Sequence, residues 1–174
     1  MSGTEKCGQR ITGFPPVCDE NARILILGSM PSVESLRQNF YYAHPRNVFW
    51  RMIAEILGEA PPTDVESKKQ MLTRHRIALW DTARSCVRVG SLDSAIREPL
   101  ANDFVTLYAQ CPQISRVLFN GAAAMNLYLK LVGSRDWRTL VRLPSTSPAY
   151  TLPYSEKKRL WTDALKEALE NVDR

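Results

Sequence analysis

The sequence predicts an α/β fold, a three-layer sandwich in which a central four-stranded parallel sheet is flanked by helices. Four short apolar runs that are typical of buried strands lie at residues 23–27, 77–80, 117–119 and 139–143. Segments with helical spacing of apolar residues separate these runs, and strands that alternate with helices form parallel sheets covered on both faces. A chain of 174 residues fits one domain, so a single domain is expected over residues 1–174.

The remaining elements are predicted from spacing and capping residues. The polar residues 1–22 are expected to form an irregular lead-in, and residues 81–97 are expected to be mostly loop. Helices are expected where apolar residues recur at helical spacing, over residues 47–57, about 64–75, about 101–110, from the alanine run at 122, and 156–171. Gly58 is predicted to end the helix over 47–57. Either Thr63 or Asp64 is predicted to cap the helix over about 64–75, and Ser155 to cap the helix over 156–171.

Composition restricts the class of protein. The net charge of +5 and the pI of about 9.2 suit a polyanionic partner, although many proteins are this basic. No apolar run is long enough to cross a membrane, and residues 1–10 lack the apolar core of a signal peptide, so a cytoplasmic location is expected. The cysteines, Cys7, Cys18, Cys86 and Cys111, show no C-x-x-C spacing, which favours incidental thiols over a metal or cluster site.

Unusual residues follow each predicted strand. These stretches are residues 28–32, 81–84, 120–121 and 143–147. Because ligands of parallel sheets bind outside the carboxyl ends of the strands, the four stretches are expected to meet at one edge and form a site there.

The first loop, residues 28–32, has the sequence Gly28, Ser29, Met30, Pro31 and Ser32. Glycine after a strand permits a ligand to approach the backbone closely, and proline stiffens the loop. An ordinary turn at a strand end is an equally simple interpretation. The loop matches neither the dinucleotide-binding nor the phosphate-binding glycine motif.

The aromatic segment, residues 40–50, contains five aromatic side chains among eleven residues, more than one core face needs. Tyr41 and Tyr42 lie in its non-helical part, where an aromatic ring can stack on a planar base. His44 is interpreted as a hydrogen-bonded structural residue rather than a ligand. Asn47 is placed to cap the following helix, and this role is compatible with a second one in the site.

Three further positions could carry chemistry. Asp81, at a strand end, is either a turn residue or a carboxylate that accepts a hydrogen bond from a base N–H. The serine loop, residues 144–147, is Pro144, Ser145, Thr146 and Ser147, whose hydroxyls can meet phosphate oxygens. A hydrolase that uses Ser85 or Cys86 as nucleophile is a rival interpretation, for which His44 and His75 are the histidines in the chain.

Three motifs in this order resemble those of the uracil-DNA glycosylase superfamily. The first loop matches its first motif, the aromatic segment resembles the part that stacks on a flipped base, and residues 143–147 match the second motif, which enters the minor groove. The resemblance covers roughly residues 22–170. Additional likeness to the hypoxanthine-DNA glycosylase branch comes from Asp81, Cys86, residues 90–94 and residues 119–121.

The resemblance implies site roles, a four-stranded parallel sheet and no cofactor or metal. Asn47 transfers as the catalytic residue, Tyr42 as the stacking platform and Asp81 as the base-reading side chain, while Asn120 and the backbone of residues 28–32 could stabilise the leaving base. The chain departs from the family at Met30, where most members place Asp or Asn, and at Leu143, where His or Asn is common. A thioether cannot orient water as those groups do.

The function expected from these observations is a monofunctional DNA repair glycosylase that acts on damaged DNA as a monomer. The expected substrate is a flipped, deaminated base, hypoxanthine from deoxyinosine, since an ionised Asp81 would accept from its N1–H. The alternatives are a uracil or thymine mismatch-specific glycosylase, and a non-catalytic protein that binds DNA lesions.

Overall fold

A computed structural model describes residues 8–134 and 136–171 of the chain, so that Cys7 lies outside the described residues. The strands and α-helices of this part follow in the order β1 Arg10–Thr12, β2 Ile24–Gly28, α1 Val33–Gln38, α2 Phe49–Leu57, α3 Val65–Arg74, β3 Ile77–Asp81, β4 Ala83–Val87, β5 Arg97–Ala101, α4 Phe104–Gln110, β6 Arg116–Asn120, α5 Ala122–Leu131, β7 Thr139–Leu143 and α6 Tyr154–Glu170. None of these helices is long and apolar enough to cross a membrane.

The four predicted strands form one parallel sheet in the order β3-β2-β6-β7, which confirms the predicted fold class. Residues 24–27 of β2 are fully buried because the strand lies at the centre of the sheet with helices on both sides. The register places Gly28 opposite Asp81 and Asn120 opposite Leu143. The carboxyl ends of all four strands therefore meet at one edge, as the sequence predicts.

A second, antiparallel sheet of order β1-β4-β5 was not expected from the sequence. The lead-in is not irregular throughout, because it contributes β1, and the prediction of loop over residues 81–97 is wrong where β4 and the start of β5 form. The reason is compositional. β4 has small and polar residues in place of an aliphatic run, and β5 carries Pro99, which is tolerated because β5 is an edge strand.

The predicted caps are present at Gly58 and Asp64 and absent at Ser155, and one helix begins later than predicted. Gly58 ends α2 with φ 70°, and Asp64 begins α3 through a capping box with Ser67. The predicted cap at Ser155 is wrong, since α6 begins at Tyr154, two residues earlier than predicted, and follows Pro153, whose ring fixes φ. Helix α4 begins later than predicted, at Phe104, because Asp103 caps it.

Candidate functional site

A cleft of about 460 Å³ opens at the carboxyl edge of the parallel sheet. It is lined by every predicted site residue except Pro144, namely Gly28, Ser29, Met30, Pro31, Ser32, Tyr42, Asn47, Asp81, Asn120, Ser145, Thr146 and Ser147. Pro144 lines a second, adjoining cleft on the far side of the serine loop. The strand-end stretches that the sequence predicted to converge therefore form the wall of one cleft.

Gly28 allows two functional groups to meet at the floor of this cleft. A Cβ added to Gly28 would lie 2.5 Å from Asp81 Oδ1 and 2.9 Å from the Tyr42 hydroxyl. Both groups reach this point because β2 and β3 are parallel neighbours in register, with Gly28 opposite Asp81. The requirement for glycine here is close approach of side chains, not an unusual backbone angle.

The carboxyl group of Asp81 is buried, and few hydrogen bonds offset the cost of removing it from water. Its side chain is 4% exposed, and Oδ2 has no hydrogen-bond partner among the described residues. Burial, reinforced by the charge of Asp93 and opposed by that of Arg88, raises the pKa of Asp81 to about 7. Its backbone carbonyl accepts from Asn102 Nδ2 at 2.7 Å, which fixes the strand end.

Tyr42 places an aromatic ring in the wall of the cleft. Its φ of 51° is in the left-handed region, which is uncommon for an aromatic residue and typical of functional sites when it occurs. The ring packs on Phe49 with 4.2 Å between centroids, so that it is supported from one side. Its hydroxyl is buried without a hydrogen-bond partner in the described part of the chain, and burial raises its pKa above the usual range.

The rest of the aromatic segment belongs to the core. Four of its five aromatic side chains are buried, namely Phe40, Tyr41, Phe49 and Trp50. The expectation that the segment has more aromatic side chains than the core uses therefore holds only for Tyr42. Trp50 donates to the Tyr41 carbonyl at 2.9 Å, and the Tyr41 hydroxyl donates to the Pro15 carbonyl at 2.7 Å. These bonds hold the loop that presents Tyr42.

Asn47 reaches the cleft from the start of α2. Its Oδ1 accepts from the backbone N–H of Phe49, the first residue of α2, at 3.0 Å. This is an Asx turn just before the helix, because the N-cap is Val48 and not Asn47 as the sequence predicts. Its backbone N–H donates to the carbonyl of His44 at 2.9 Å. His44 Nδ1 in turn accepts from the backbone N–H of Arg46 at 3.1 Å, as expected of a structural histidine. The bond from Phe49 occupies one lone pair of Asn47 Oδ1 and leaves the Nδ2 donors for the cleft.

A hydrogen-bonded frame joins three parts of the site. Asn120 donates from Nδ2 to Thr146 Oγ1 and accepts at Oδ1 from the Thr146 N–H, both at 2.9 Å. The Thr146 carbonyl then accepts from the N–H of Val48, the residue after Asn47, at 3.2 Å. The predicted role of Asn120 at the leaving base is therefore limited to the one N–H that this pairing leaves over. Thr146 is buried and serves the loop itself.

The serine loop is anchored from below by α6. Trp161 Nε1 donates to the Pro144 carbonyl at 2.9 Å, and the buried Lys157 Nζ donates to the Ser147 carbonyl at 3.1 Å. Gly121, with φ 99°, allows Ser145 to lie against it, since a Cβ there would be 3.2 Å from Ser145 Cβ. Ser145 and Ser147 are the partly exposed hydroxyl residues of this loop.

Met30 and Cys86 are structural. Both are buried and form a small apolar cluster with Ala83 between the first loop and the second sheet. Burial raises the pKa of the Cys86 thiol, and Ser85 accepts from Arg10 at 3.0 Å. The rival prediction of a Ser85 or Cys86 nucleophile is therefore wrong, because a reactive thiol needs exposure and a lowered pKa.

The sequence did not predict that Arg88, Ser91 and Asp93 contact the first loop. Ser29 Oγ donates to Asp93, and Ser91 Oγ accepts from the Val33 N–H at 2.9 Å. Arg88, which is buried, donates to the carbonyl of Pro31. Turn composition predicts that residues 90–94 are a loop, but only the antiparallel β4-β5 pair carries that loop to the cleft. In the described ranges, no three His, Cys, Asp or Glu side chains are grouped as metal ligands would be.

Comparison with known proteins agrees with these motifs. A family model described as the uracil DNA glycosylase superfamily matches residues 15–170. Two curated relatives are named hypoxanthine DNA glycosylase. One, from Methanosarcina barkeri, is 37% identical over 155 residues, which cover 88% of this chain and 97% of the relative. The other, from Methanosarcina acetivorans, is 43% identical over 138 residues, which cover 79% and 86%.

A solved structure also matches. A protein of Methanosarcina acetivorans, determined by NMR in solution and described provisionally as a uracil DNA glycosylase, aligns with a TM-score of 0.77 at 36% sequence identity. The alignment covers 92% of this chain and 99% of that one.

Proposed function

Because the chain belongs to the uracil DNA glycosylase superfamily, we propose that it excises hypoxanthine from deoxyinosine in damaged DNA. Membership confirms the enzyme class predicted from the motifs, a DNA glycosylase, and the base removed is the proposal. The observation that carries it is the meeting of Tyr42 and Asp81 at Gly28, which gives the cleft a stacking face and a group that reads the edge of a base. Two relatives named for hypoxanthine support the choice.

In this proposal the flipped nucleotide enters the cleft while the serine loop contacts the DNA backbone. Ser145 and Ser147 supply hydroxyls to phosphate oxygens, and the anchors from Trp161 and Lys157 hold the loop in place. Tyr42 stacks on the base, a contact worth about 1–3 kcal/mol. Support from Phe49 keeps the ring from turning away.

Bond cleavage is assigned to positioning rather than to a strong base. Asn47 holds a water molecule near the sugar carbon through the polar atoms that the bond from Phe49 leaves over. The water oxygen adds to C1′ and the C1′–N9 electron pair leaves with the base as an anion. One water hydrogen stays on the new C1′ hydroxyl, the other is lost to solvent as a proton, and the released base takes up a proton from solvent. Fixed N–H donors of the first loop stabilise the charge that develops on the base. All of these groups belong to one chain, and no cofactor is assigned a part.

A panel of single-lesion oligonucleotides tests the proposal. Purified protein is incubated with duplexes that contain deoxyinosine, deoxyuridine, a thymine mismatch or no lesion, and abasic sites are converted to strand breaks for quantification. The expected result is release of hypoxanthine, with uracil slower or absent. Rapid release of uracil with deoxyinosine left intact would assign the protein to the uracil branch. Binding of lesions without any release would favour a lesion-binding protein.

A further inference from the structure

The Asp81 carboxyl group has an asymmetric environment. Oδ2 is buried with no partner in the described part of the chain, whereas Oδ1 lies against Gly28 at the floor of the cleft. The neighbouring cation, Arg88, donates to the carbonyl of Pro31 and does not neutralise Asp81 by a hydrogen bond. An ionised carboxylate would leave a buried, charged Oδ2 without a hydrogen bond from the described residues.

The groups that face Asp81 do not reverse this preference. Asp93, from the loop between β4 and β5, adds a second negative charge, and Arg88, from the end of β4, opposes it. The aromatic segment contributes Tyr41 and Tyr42, both neutral because burial raises the pKa of each above its usual range. Burial is the largest effect on Asp81 itself and raises its pKa to about 7.

We propose that Asp81 reads the flipped base as a neutral carboxylic acid, whose Oδ1–H donates one hydrogen bond to a carbonyl oxygen of the base. A proton on Oδ2 would be an orphaned buried donor, whereas a proton on Oδ1 points to the cleft and leaves Oδ2 as an under-used carbonyl oxygen, which proteins tolerate better. A buried carboxyl group kept neutral for this purpose is an established device in enzyme sites.

This assignment, which rests on the proposed function, explains why deaminated bases are the substrate class. Deamination replaces an amino group, which donates, by a carbonyl oxygen, which accepts, both in adenine and in cytosine. A donor at Asp81 pairs with O6 of hypoxanthine or O4 of uracil and meets another donor in the amino group of the undamaged base. An ionised Asp81, the form assumed from sequence, would prefer the amino group instead. A neutral Asp81 therefore rejects intact adenine, because two hydrogen-bond donors would face each other.

The same hydrogen bond also assists cleavage. Negative charge develops on the base as the C1′–N9 bond breaks, and part of it resides on O6, so a donor at O6 binds the transition state better than the ground state. Asp81 then touches the leaving group and is a catalytic residue in the strict sense. Ionisation of Asp81 removes the donor and sets a negative charge against O6.

Two measurements test the assignment. Single-turnover excision of hypoxanthine is followed between pH 5.5 and 9 for the wild type, Asp81→Asn, Asp81→Leu and the control Asp64→Asn, which changes an exposed capping carboxylate outside the cleft. The wild type and Asp64→Asn are expected to lose about tenfold in rate per pH unit above 7. Asp81→Asn, whose amide also donates, should keep a level rate, and Asp81→Leu should lose at least tenfold at every pH. A level wild-type profile would overturn the proposal.

The second measurement does not depend on activity. ¹³C NMR of the carboxyl carbons, with Asp81→Asn for assignment, is expected to show Asp81 titrating near neutral pH in the free protein. A midpoint near 4 would overturn the proposal even if no base is released. Titration near neutral pH in a protein that releases no hypoxanthine would instead contradict the proposed function and leave the neutral carboxyl group established.

Discussion

At Gly28, a side chain of any size would occupy the space that Asp81 and Tyr42 share. We expect Gly28→Ala to displace both groups, because its Cβ would lie 2.5 Å from Asp81 Oδ1 and 2.9 Å from the Tyr42 hydroxyl. The rate of single-turnover excision should fall at least tenfold. Gly13→Ala is the matched control, since its Cβ would be in ordinary contact 3.6 Å from Pro31 Cδ. Equal rates for the two variants would show that the crowding at Gly28 has no functional part.

Asn47 combines a structural and a proposed catalytic role, and substitutions can separate them. Asn47→Ala should lose most excision while DNA binding survives, and it should destabilise the fold by about 1 kcal/mol because the Phe49 N–H loses its acceptor. Asn47→Ser keeps a side-chain oxygen that can accept from the Phe49 N–H, so we expect it to restore the free energy of unfolding but not the rate. If Asn47→Ser restores the rate as well, Asn47 acts only through the helix start.

At the scale of elements, the sequence predicts what a local pattern encodes. The parallel strands are predictable because buried strands are continuous apolar runs, and the four strand-end stretches that line the cleft are predictable because they follow those strands. The β4-β5 pair lacks such a pattern, so the position of Asp93 over Ser29 depends on pairing between distant residues. The burial of Asp81 and the pairing of Asn120 with Thr146 are likewise tertiary, since no spacing within the sequence indicates them.

The turn after the serine loop suggests a further DNA contact. Tyr150 is half-exposed and lines the second cleft of about 560 Å³, as does Leu92, which is also exposed. The Lys157 ammonium lies 5.4 Å from the Tyr150 ring centroid and orients it. Because an extruded base leaves a gap that apolar side chains fill, we expect Tyr150→Ala to weaken binding to lesion-containing duplex about tenfold or more.

A matched control for this contact lies at the opposite edge of the sheet. Trp137 is more exposed than Tyr150 but precedes β7, so it belongs to the amino ends of the parallel strands. Trp137→Ala should leave DNA affinity unchanged in fluorescence anisotropy titrations. If Trp137→Ala loses as much affinity as Tyr150→Ala, DNA does not bind specifically at the edge formed by the carboxyl ends of the parallel strands.

For the whole molecule, the cleft and the net charge have opposite signs. The chain carries +5, yet the acidic side chains Glu34 and Asp93 line the cleft, beside Asp81, which is neutral below its pKa of about 7. Two of the cations that follow the serine loop are already paired, Lys158 with Glu55 and Arg159 with Glu156. A cleft that repels phosphate but accepts a neutral base suits a protein that holds the DNA backbone at the rim and admits only the extruded nucleotide.

Asp81 should make the stability of the whole chain depend on pH in the direction opposite to that of most carboxylates. Its pKa is about 7 in the folded state, against 3.8 as the ordinary value. The unfolded chain therefore releases this proton first as pH rises, so the group destabilises the fold progressively from about pH 4 to pH 7 and by a constant amount above that. A shift of this size corresponds to at most about 4 kcal/mol.

We therefore expect Asp81→Asn to gain stability relative to the wild type as pH rises, although it alters the proposed site. Urea unfolding at pH 4.5, 6 and 8 should show the difference in unfolding free energy growing toward pH 7 and then levelling. Asp64→Asn is the control. The hydrogen bond from the Ser67 N–H lowers the pKa of Asp64, so Asp64 is ionised in both the folded and the unfolded protein throughout this pH range. Its difference from the wild type should stay constant. A constant difference for Asp81→Asn as well would mean that Asp81 is ionised in the folded protein, and a neutral hydrogen-bond donor in the cleft would have to be sought elsewhere.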